Sequence, residues 1–388
     1  MRWAVFLLIL AVFLLAIIGL VMIYSVSSVQ GETIYNDSYH FVKNQGLFFL
    51  LAIMAIVLIN LIPFDTLFSK EIVYLAIVII LFGLIAVHIP GLGRKVNGSS
   101  RWIELIGFRL QTSEFIKLAT IFLMAWWQGQ AWRKNVSFLE GFLYPTIGLG
   151  IVDIGLMSQP DFGSTFMLSA ICCMMMVVAG VNLKYLLGMV ICGLSLFVYK
   201  VIEDPLRLQR VNPIIKLNSS GIVDSATIEG PLYQVVSAIS AFKHGGVWGK
   251  GLGHSVYKEH YIPEYHTDFI LSMIGEEMGI LGTSIIAILV LTILISGIYI
   301  SLKERDFQFR LLAFGMTLQI SLYAIVNTAV VIGFFPTKGL AMPFLSYGGS
   351  NLLSSFIAIG FIIFVARHVI GNEVNEEDPQ HDLSFWKM

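Results

Sequence analysis

Asp268 closes a polar run, Tyr261-Ile262-Pro263-Glu264-Tyr265-His266-Thr267, and stands just before an apolar one that begins Phe269-Ile270. A carboxylate at such a junction is partly desolvated, an environment that can hold a general base. The same place also suits a helix N-cap. Gly275-Glu276-Glu277-Met278-Gly279 follows within the apolar stretch. At least one of its two glutamates is expected to face the interior and pair with a basic or amide group. A second constellation runs from Asn97-Gly98-Ser99-Ser100-Arg101-Trp102-Ile103 to Phe108-Arg109-Leu110-Gln111-Thr112-Ser113-Glu114-Phe115-Ile116-Lys117. Ser113 reads as an N-cap, and the free N–H groups of a helix start favour an anion. Lys117 falls one turn in, on the face of Ser113 and Glu114. An ionisable group within a span is costly and points to function, although pairing with Glu114 would also account for it. Trp102 fits an interfacial anchor as well as a ligand contact. A third constellation, Phe335-Pro336-Thr337-Lys338-Gly339-Leu340-Ala341-Met342-Pro343-Phe344-Leu345-Ser346-Tyr347-Gly348-Gly349-Ser350, is an irregular loop in which Lys338, Ser346 and Tyr347 suggest a ligand-facing surface. Asp161, in Gln159-Pro160-Asp161-Phe162-Gly163, adds a fourth polar point, and Asp153 is a carboxylate inside an apolar run.

Soluble-enzyme signatures are absent: there is no H-E-x-x-H and no G-x-S-x-G, and the glycine spacing of Gly245-Gly246-Val247-Trp248-Gly249-Lys250 is wrong for a phosphate loop. His254, His260 and His266 recur every six residues, which matches neither a helix face nor a strand face, so no metal ligands are assigned. Cys172, Cys173 and Cys192 all lie in apolar runs, which rules out a disulfide framework or a C-x-x-C metal site.

The elements that must position these groups follow from composition. Of 388 residues, 57% are hydrophobic and only 13% charged, against about 25% charged in a typical soluble domain. The net charge of −1 gives no global field for nucleic acid. The chain therefore reads as an all-α polytopic membrane protein. Ten mostly apolar runs are long enough to span a bilayer: Ala4–Tyr24, Leu47–Ile62, Ile72–Ile89, Phe115–Trp132, Phe138–Met157, Ser164–Val181, Tyr185–Ile202, Met273–Ser301, Arg310–Phe334 and Leu352–Ile370. The first is too long for a signal-peptide core and is expected to be retained. Residues 1–371 form the transmembrane domain, with 203–267 as one long extracytoplasmic loop between helices 7 and 8, and 372–388 form a polar cytoplasmic tail. Apolar stretches such as Tyr233–Phe242 argue that part of the loop packs on the bundle. Arg2, Arg133, Lys134, Lys184, Lys303, Arg305, Arg310 and Arg367 share one face, so both termini are expected in the cytoplasm. The outer loop Gly91–Ser113 breaks that rule with Arg94, Lys95, Arg101 and Arg109, which suggests an anionic ligand there.

These motifs, in this order on ten spans, resemble the SEDS family of shape, elongation, division and sporulation proteins (FtsW, RodA, SpoVE), over nearly the whole chain to Ile370. The motifs that carry the likeness are N-G-x-x-R-W, Q-x-S-E-F-x-K, Q-P-D-x-G, P-E-x-H-T-D-F-I with G-E-E-x-G, and P-F-x-S-Y-G-G-S. Thr337-Lys338-Gly339 is similar to the FtsW/SpoVE branch, and Thr112 departs from the family's usual proline. The resemblance implies a peptidoglycan glycosyltransferase that polymerises lipid II, with inversion, at the outer face of the bacterial cytoplasmic membrane. By that analogy Asp268 is the base. Arg101, Lys117 and Lys338 would stabilise the leaving diphosphate, directly or through a divalent cation (Mg or Mn). Trp102, Glu114, Glu264, His266 and Ser346 complete the substrate-binding set, with Glu264 the next candidate base. A single-span class B penicillin-binding transpeptidase and other divisome proteins are the implied partners, with no nucleic acid. Two other classes fit a polytopic chain: a lipid II flippase and a non-catalytic divisome scaffold. Short inner loops without a matching constellation favour catalysis over transport.

Overall fold

The structure is a computed structural model, and it describes residues 1–96, 99–105, 108–133, 137–203, 231–257, 265–335 and 339–377. Among them are twelve α-helices: α1 Arg2–Tyr35, α2 His40–Leu61, α3 Lys70–Ala86, α4 Thr112–Arg133, α5 Tyr144–Ser158, α6 Phe162–Val178, α7 Leu183–Glu203, α8 Pro231–Gly245, α9 Ile270–Glu277, α10 Gly279–Lys303, α11 Phe307–Val331 and α12 Gly349–Glu377. A π-helical turn, Phe138–Leu143, leads into α5. A helix lies on each of the ten apolar runs. By length and composition, six helical stretches among the described residues can cross a membrane: 2–35, 40–61, 138–158, 270–303, 307–331 and 349–373. With 17 residues each, α3 and α6 are shorter, and α4 carries Glu114 and Lys117 near its start. Side chains such as Phe6, Leu50, Val78 and Ile288 stand exposed on the outer faces. Water would penalise such a surface and lipid would not. The chain is a multi-pass membrane protein.

The most enclosed long helix is α11, with 72% of its apolar window buried against 11% for α2. It packs against α4, α6, α8, α9, α10 and α12, and α12 in turn packs along α2. One continuous apolar core, including Leu8, Met22, Ile121, Ile171, Leu312, Met316 and Phe364, joins these helices.

Three features differ from the expectation from sequence. The connection before α4 holds an antiparallel sheet in the order β1 Gly93–Val96, β2 Ser99–Leu105, β3 Phe108–Gln111. Trp102 is paired with Arg94 on one side and Gln111 on the other, and Arg94 Nε meets Glu104 Oε2 at 2.5 Å across β1 and β2. The all-α description therefore lacks this sheet. Its signal was the dipeptide Asn97-Gly98 between two short runs, a favoured hairpin sequence. Second, α12 continues past residue 371 to Glu377, so 372–377 are helix; 378–388 lie outside the described residues. Third, the eighth run is two helices, α9 and α10, broken at Met278 and Gly279.

The break is built by the chain from 245 to 251, within the long loop. Helix ends leave unsatisfied carbonyls at one terminus and N–H groups at the other, and here one strap satisfies both. Lys250 N–H donates to Glu276 O (2.9 Å) and Gly251 N–H to Glu277 O (3.0 Å), closing the end of α9. Ile280 N–H donates to Gly246 O (3.0 Å) and Leu281 N–H to Val247 O (3.3 Å), closing the start of α10. Gly279 sits at φ 67° between them, and a Cβ there would collide with Val247 O. The loop is thus ordered against the bundle over 231–257; residues 204–230 and 258–264 lie outside the described residues. Left-handed backbone in a non-glycine residue costs about 1–3 kcal/mol, and the contact with Val247 O adds to that. Gly279→Ala is expected to lower the thermal unfolding midpoint of detergent-purified protein. Gly148→Ala, on α5 where a Cβ meets nothing within 4 Å, should leave it unchanged or slightly raised.

Candidate active site

Asp268 is half-buried, in the turn that precedes α9. It is not the helix cap: α9 begins at Ile270 with Phe269 in the cap position and no side-chain cap. What holds this turn is a set of hydrogen bonds to three consecutive carbonyls. His266 O accepts from Tyr347 N–H at 2.8 Å, Thr267 O from the Ser346 hydroxyl at 2.5 Å, and Asp268 O from Asn327 Nδ2 at 2.8 Å. All the donors come from α11 or from the loop between α11 and α12, so the base candidate is fixed by elements some sixty residues or more further along the chain.

That loop is itself tightly held. Ser346, fully buried, accepts from Met342 N–H at 2.7 Å while donating to Thr267 O. Gln45 on α2 donates to Ser346 O and accepts from Gly348 N–H, both at 3.2 Å. Asn351 Nδ2 donates to Met342 O at 3.3 Å. Ser346, expected to bind substrate, thus spends its hydroxyl on joining the two segments. Gly339 brings the loop against the carboxylate: a Cβ at this residue would lie 3.1 Å from Asp268 Oδ2. His266 lies among aromatic rings, its own ring 5.1 Å from Tyr265 and 5.7 Å from both Phe41 and Tyr347. Burial pushes the Tyr347 hydroxyl above its ordinary pKa, so it stays a neutral phenol through the physiological range.

Lys117 is fully enclosed. Its ammonium donates to Glu114 Oε1 at 2.8 Å and to Tyr323 OH at 2.9 Å, and lies 4.1 Å from the Tyr323 ring centroid. Ser354 on α12 donates to the other Glu114 oxygen at 2.8 Å. Three helices, α4, α11 and α12, therefore meet on one ion pair. Ser113, expected as the N-cap of α4, is instead the second residue of the helix, which begins at Thr112.

Arg101 extends from β2 to the loop between α5 and α6. Its guanidinium donates to Gln159 O (3.3 Å) and Pro160 O, and lies 3.6 Å from Asp161 Oδ1. Asp161 also caps α6, accepting from Ser164 N–H at 3.2 Å. At 23% side-chain exposure Arg101 remains reachable from outside, which Lys117 is not. Gln111 N–H donates to Ser350 Oγ at 2.8 Å, tying β3 to the start of α12. These bonds place the four sequence constellations at one end of the bundle. Lys338 and Glu264 lie outside the described residues, as does His260.

Glu276 and Glu277 both turn inward. Glu276 accepts from His244 Nδ1 (2.8 Å), Val256 N–H (3.0 Å), Tyr257 N–H (3.4 Å) and the Ser255 hydroxyl. Glu277 accepts from Ser25 on α1 at 2.5 Å. They anchor the strap rather than approach Asp268. Asp153 accepts from the Ser169 hydroxyl on α6 at 2.7 Å. Among the described residues no three His, Cys, Asp or Glu side chains gather as a metal site. Tyr323, Asn327, Gln45 and Gly339 do not stand out as site residues in the sequence. The first two are polar side chains inside an apolar span, a signal that could have flagged them.

The fold and site define a class: a polytopic membrane protein with a carboxylate, a buried ion pair and an accessible arginine joined at one end of the bundle. A family model for the FtsW/RodA/SpoVE group, described as a cell cycle protein, matches residues 5–370, and the chain belongs to that family. Among its relatives is the probable peptidoglycan glycosyltransferase FtsW of Geobacter metallireducens, 35% identical over 91% of this chain and 92% of that protein. Another is the stage V sporulation protein E of Bacillus subtilis, 35% identical over 93% of this chain and 96% of that one. The fold is that of a solved peptidoglycan synthase complex coordinating polymerization and crosslinking (TM-score 0.71, 20% identity, 95% of this chain and 98% of that chain). It is also that of Thermus thermophilus RodA (TM-score 0.65, 20% identity, 93% and 95%).

The space beside Asp268 sets an expectation for Gly339. An added methyl forces the carboxylate to give by a few tenths of an ångström, and a branched side chain forces more. Gly339→Val is expected to insert into membranes at wild-type levels and to lose activity at least tenfold, read as glycan polymer formed per minute by purified protein.

Proposed function

We infer that the chain, a peptidoglycan glycosyltransferase by the family it belongs to, polymerises lipid II at the outer face of the bacterial cytoplasmic membrane with Asp268 as its base. The observation that carries this reading is the lacing of three successive carbonyls, 266 to 268, to α11 and the 339–348 loop. A general base must be held within hydrogen-bond reach of the proton that it takes, and a carboxylate on a freely moving loop would not be.

In the transfer step, the acceptor's 4-hydroxyl oxygen attacks the anomeric carbon of the donor while Asp268 takes the hydroxyl proton. The bond from that carbon to the diphosphate oxygen breaks, and the electron pair leaves with the undecaprenyl diphosphate. Attack opposite the leaving group inverts the centre and forms a β-1,4 link. Arg101 is the cation best placed to meet the departing charge, since it stays accessible while held by Gln159, Pro160 and Asp161. Lys338 is the second contact. Lys117 contributes its charge from beneath the surface, balanced by Glu114; charge held ready in a water-excluded site needs no reorganisation as the transition state forms. Trp102, Glu264 and His266 complete the surface offered to the substrate, while Glu114, its oxygens taken by Lys117 and Ser354, acts beneath it by holding that ammonium. A divalent cation, Mg or Mn, would add its charge at the diphosphate, while proton removal and substrate positioning belong to the chain's own residues. Both termini lie in the cytoplasm in this reading, supported by the positive-inside distribution of the connections. A class B penicillin-binding transpeptidase crosslinks the product, a pairing supported by the likeness to a synthase complex that joins the two activities, and other divisome proteins assemble around it.

The test is incubation of the purified protein, alone and with its transpeptidase, with lipid II, followed by gel separation of glycan polymer. A positioned base is worth about 10²–10⁴ in rate, so Asp268→Asn should insert normally and lose activity in that range. Because Asp268 does not cap α9, the substitution leaves the helix start untouched. Polymer at near wild-type rate from Asp268→Asn would move the base elsewhere, with Glu264 next. Movement of lipid II across proteoliposomes without polymer would favour the flippase instead.

A further inference from the structure

We propose that Asn327, on α11, is a positioning residue that sets the place of the Asp268 carboxylate and registers it against the Lys117 ion pair. This rests on the reading of Asp268 as the base. Asn327 is almost fully buried, and its side-chain amide donates twice: to Asp268 O at 2.8 Å and to Leu340 O at 2.7 Å. An amide NH₂ has two hydrogens, so both are spent on joining the base's own residue to the loop that brings Gly339 against its carboxylate. A hydroxyl has one hydrogen and could hold only one of these carbonyls. The Asn327 carbonyl oxygen is buried and accepts no hydrogen bond among the described residues. Burying a polar atom unpaired is costly. The residue is therefore explained by its two donors rather than by a gain in overall stability.

The same helix face continues to the cation. Tyr323 is four residues before Asn327, about 6 Å along the axis, and its hydroxyl accepts from Lys117. The Tyr323 side chain also clusters with Leu340 and Met167, and Leu340 is the residue whose carbonyl Asn327 holds. A rigid turn of α11 thus spans the interval between the ammonium and the turn that bears the base. If the catalytic carboxylate is misplaced by even an ångström, the chemical step slows while binding of a large lipid substrate through its other contacts does not.

The experiment compares wild type, Asp268→Asn, Asn327→Leu, Asn327→Asp and Asn327→Gln in lipid II polymerisation, with kcat and KM determined separately and the thermal midpoint measured for each. Asn327→Leu keeps the branching at Cγ and removes both donors, with some added bulk; Asn327→Asp keeps both size and shape and also removes them. Both are expected to lower kcat at least tenfold with KM within about twofold of wild type, and Asn327→Gln, which retains the amide, to recover part of the loss. Hydrogen exchange should rise at 266–269 and 339–342 in the Leu and Asp variants and stay unchanged at 112–120. Wild-type kcat in Asn327→Leu and Asn327→Asp, with Asp268→Asn inactive, overturns the positioning role and leaves the base assignment standing. A loss confined to KM, or one that follows the thermal midpoint equally in all three Asn327 variants, also overturns it. Activity in Asp268→Asn would instead remove the reading beneath.

Discussion

Hydrocarbon offers no hydrogen bonds, so a polar group carried into this bundle is costly unless another part of the same chain meets it. The end of the bundle that holds the candidate site follows from that constraint. Lys117 is enclosed because Glu114 and Tyr323 meet its charge and its hydrogens, and Glu114 because Ser354 meets its other oxygen. The partners come from α4, α11 and α12, so satisfying one ammonium fixes the approach of three helices. Removing one partner of such a pair would strand the other, which is why buried ion pairs constrain geometry more than they add stability.

The same need shapes the backbone. A continuous helix from 270 to 303 would have closed its own hydrogen bonds, but it breaks at Met278 and Gly279. The exposed ends are then closed by the strap from 245 to 251, whose carbonyls and N–H groups take over. Glu276 and Glu277 hold the strap through Ser25, His244 and the amides of Val256 and Tyr257. The break separates α10 from α9, and the turn that precedes α9 carries Asp268 to the 339–348 loop. That loop holds a buried Phe344 at φ 66°, a strained conformation that persists where surrounding contacts over-determine it. The contacts that do so are the bonds from Gln45, Ser346, Asn327 and Asn351.

Charge is graded across the site. Arg101 is held at the surface by backbone carbonyls and one carboxylate, which leaves it able to meet an anion from outside. Lys117 is held below it with its charge already balanced. In the proposed reaction, which expels a diphosphate, the two would act together: a contact that the leaving group can reach, and a fixed field that does not have to reorganise.

Much of this was legible in the residues themselves. The apolar runs marked helices in every case, because a bilayer demands length and hydrophobicity and both are local properties. Asp268, Arg101 and Lys117 stood out because charge is expensive beside such runs, and the motif order was enough for the family. The sheet over 93–111 escapes a sequence reading although Asn97-Gly98 announces a hairpin, because strands this short carry little periodicity of their own. The division of the eighth run could not be read at all: Gly279 is one glycine among thirty-five, and only the strap packed against it makes its conformation matter. Nor could the roles of Asn327 and Ser346. Whether a polar side chain faces substrate or holds a loop depends on which carbonyls lie within hydrogen-bond reach, and those come from residues distant in the chain. Residue types and spacing determined the apolar helices, the membrane and the family, because these depend on local chemistry. Tertiary structure alone decided which groups share a hydrogen bond, because that depends on how helices distant in the chain are brought together.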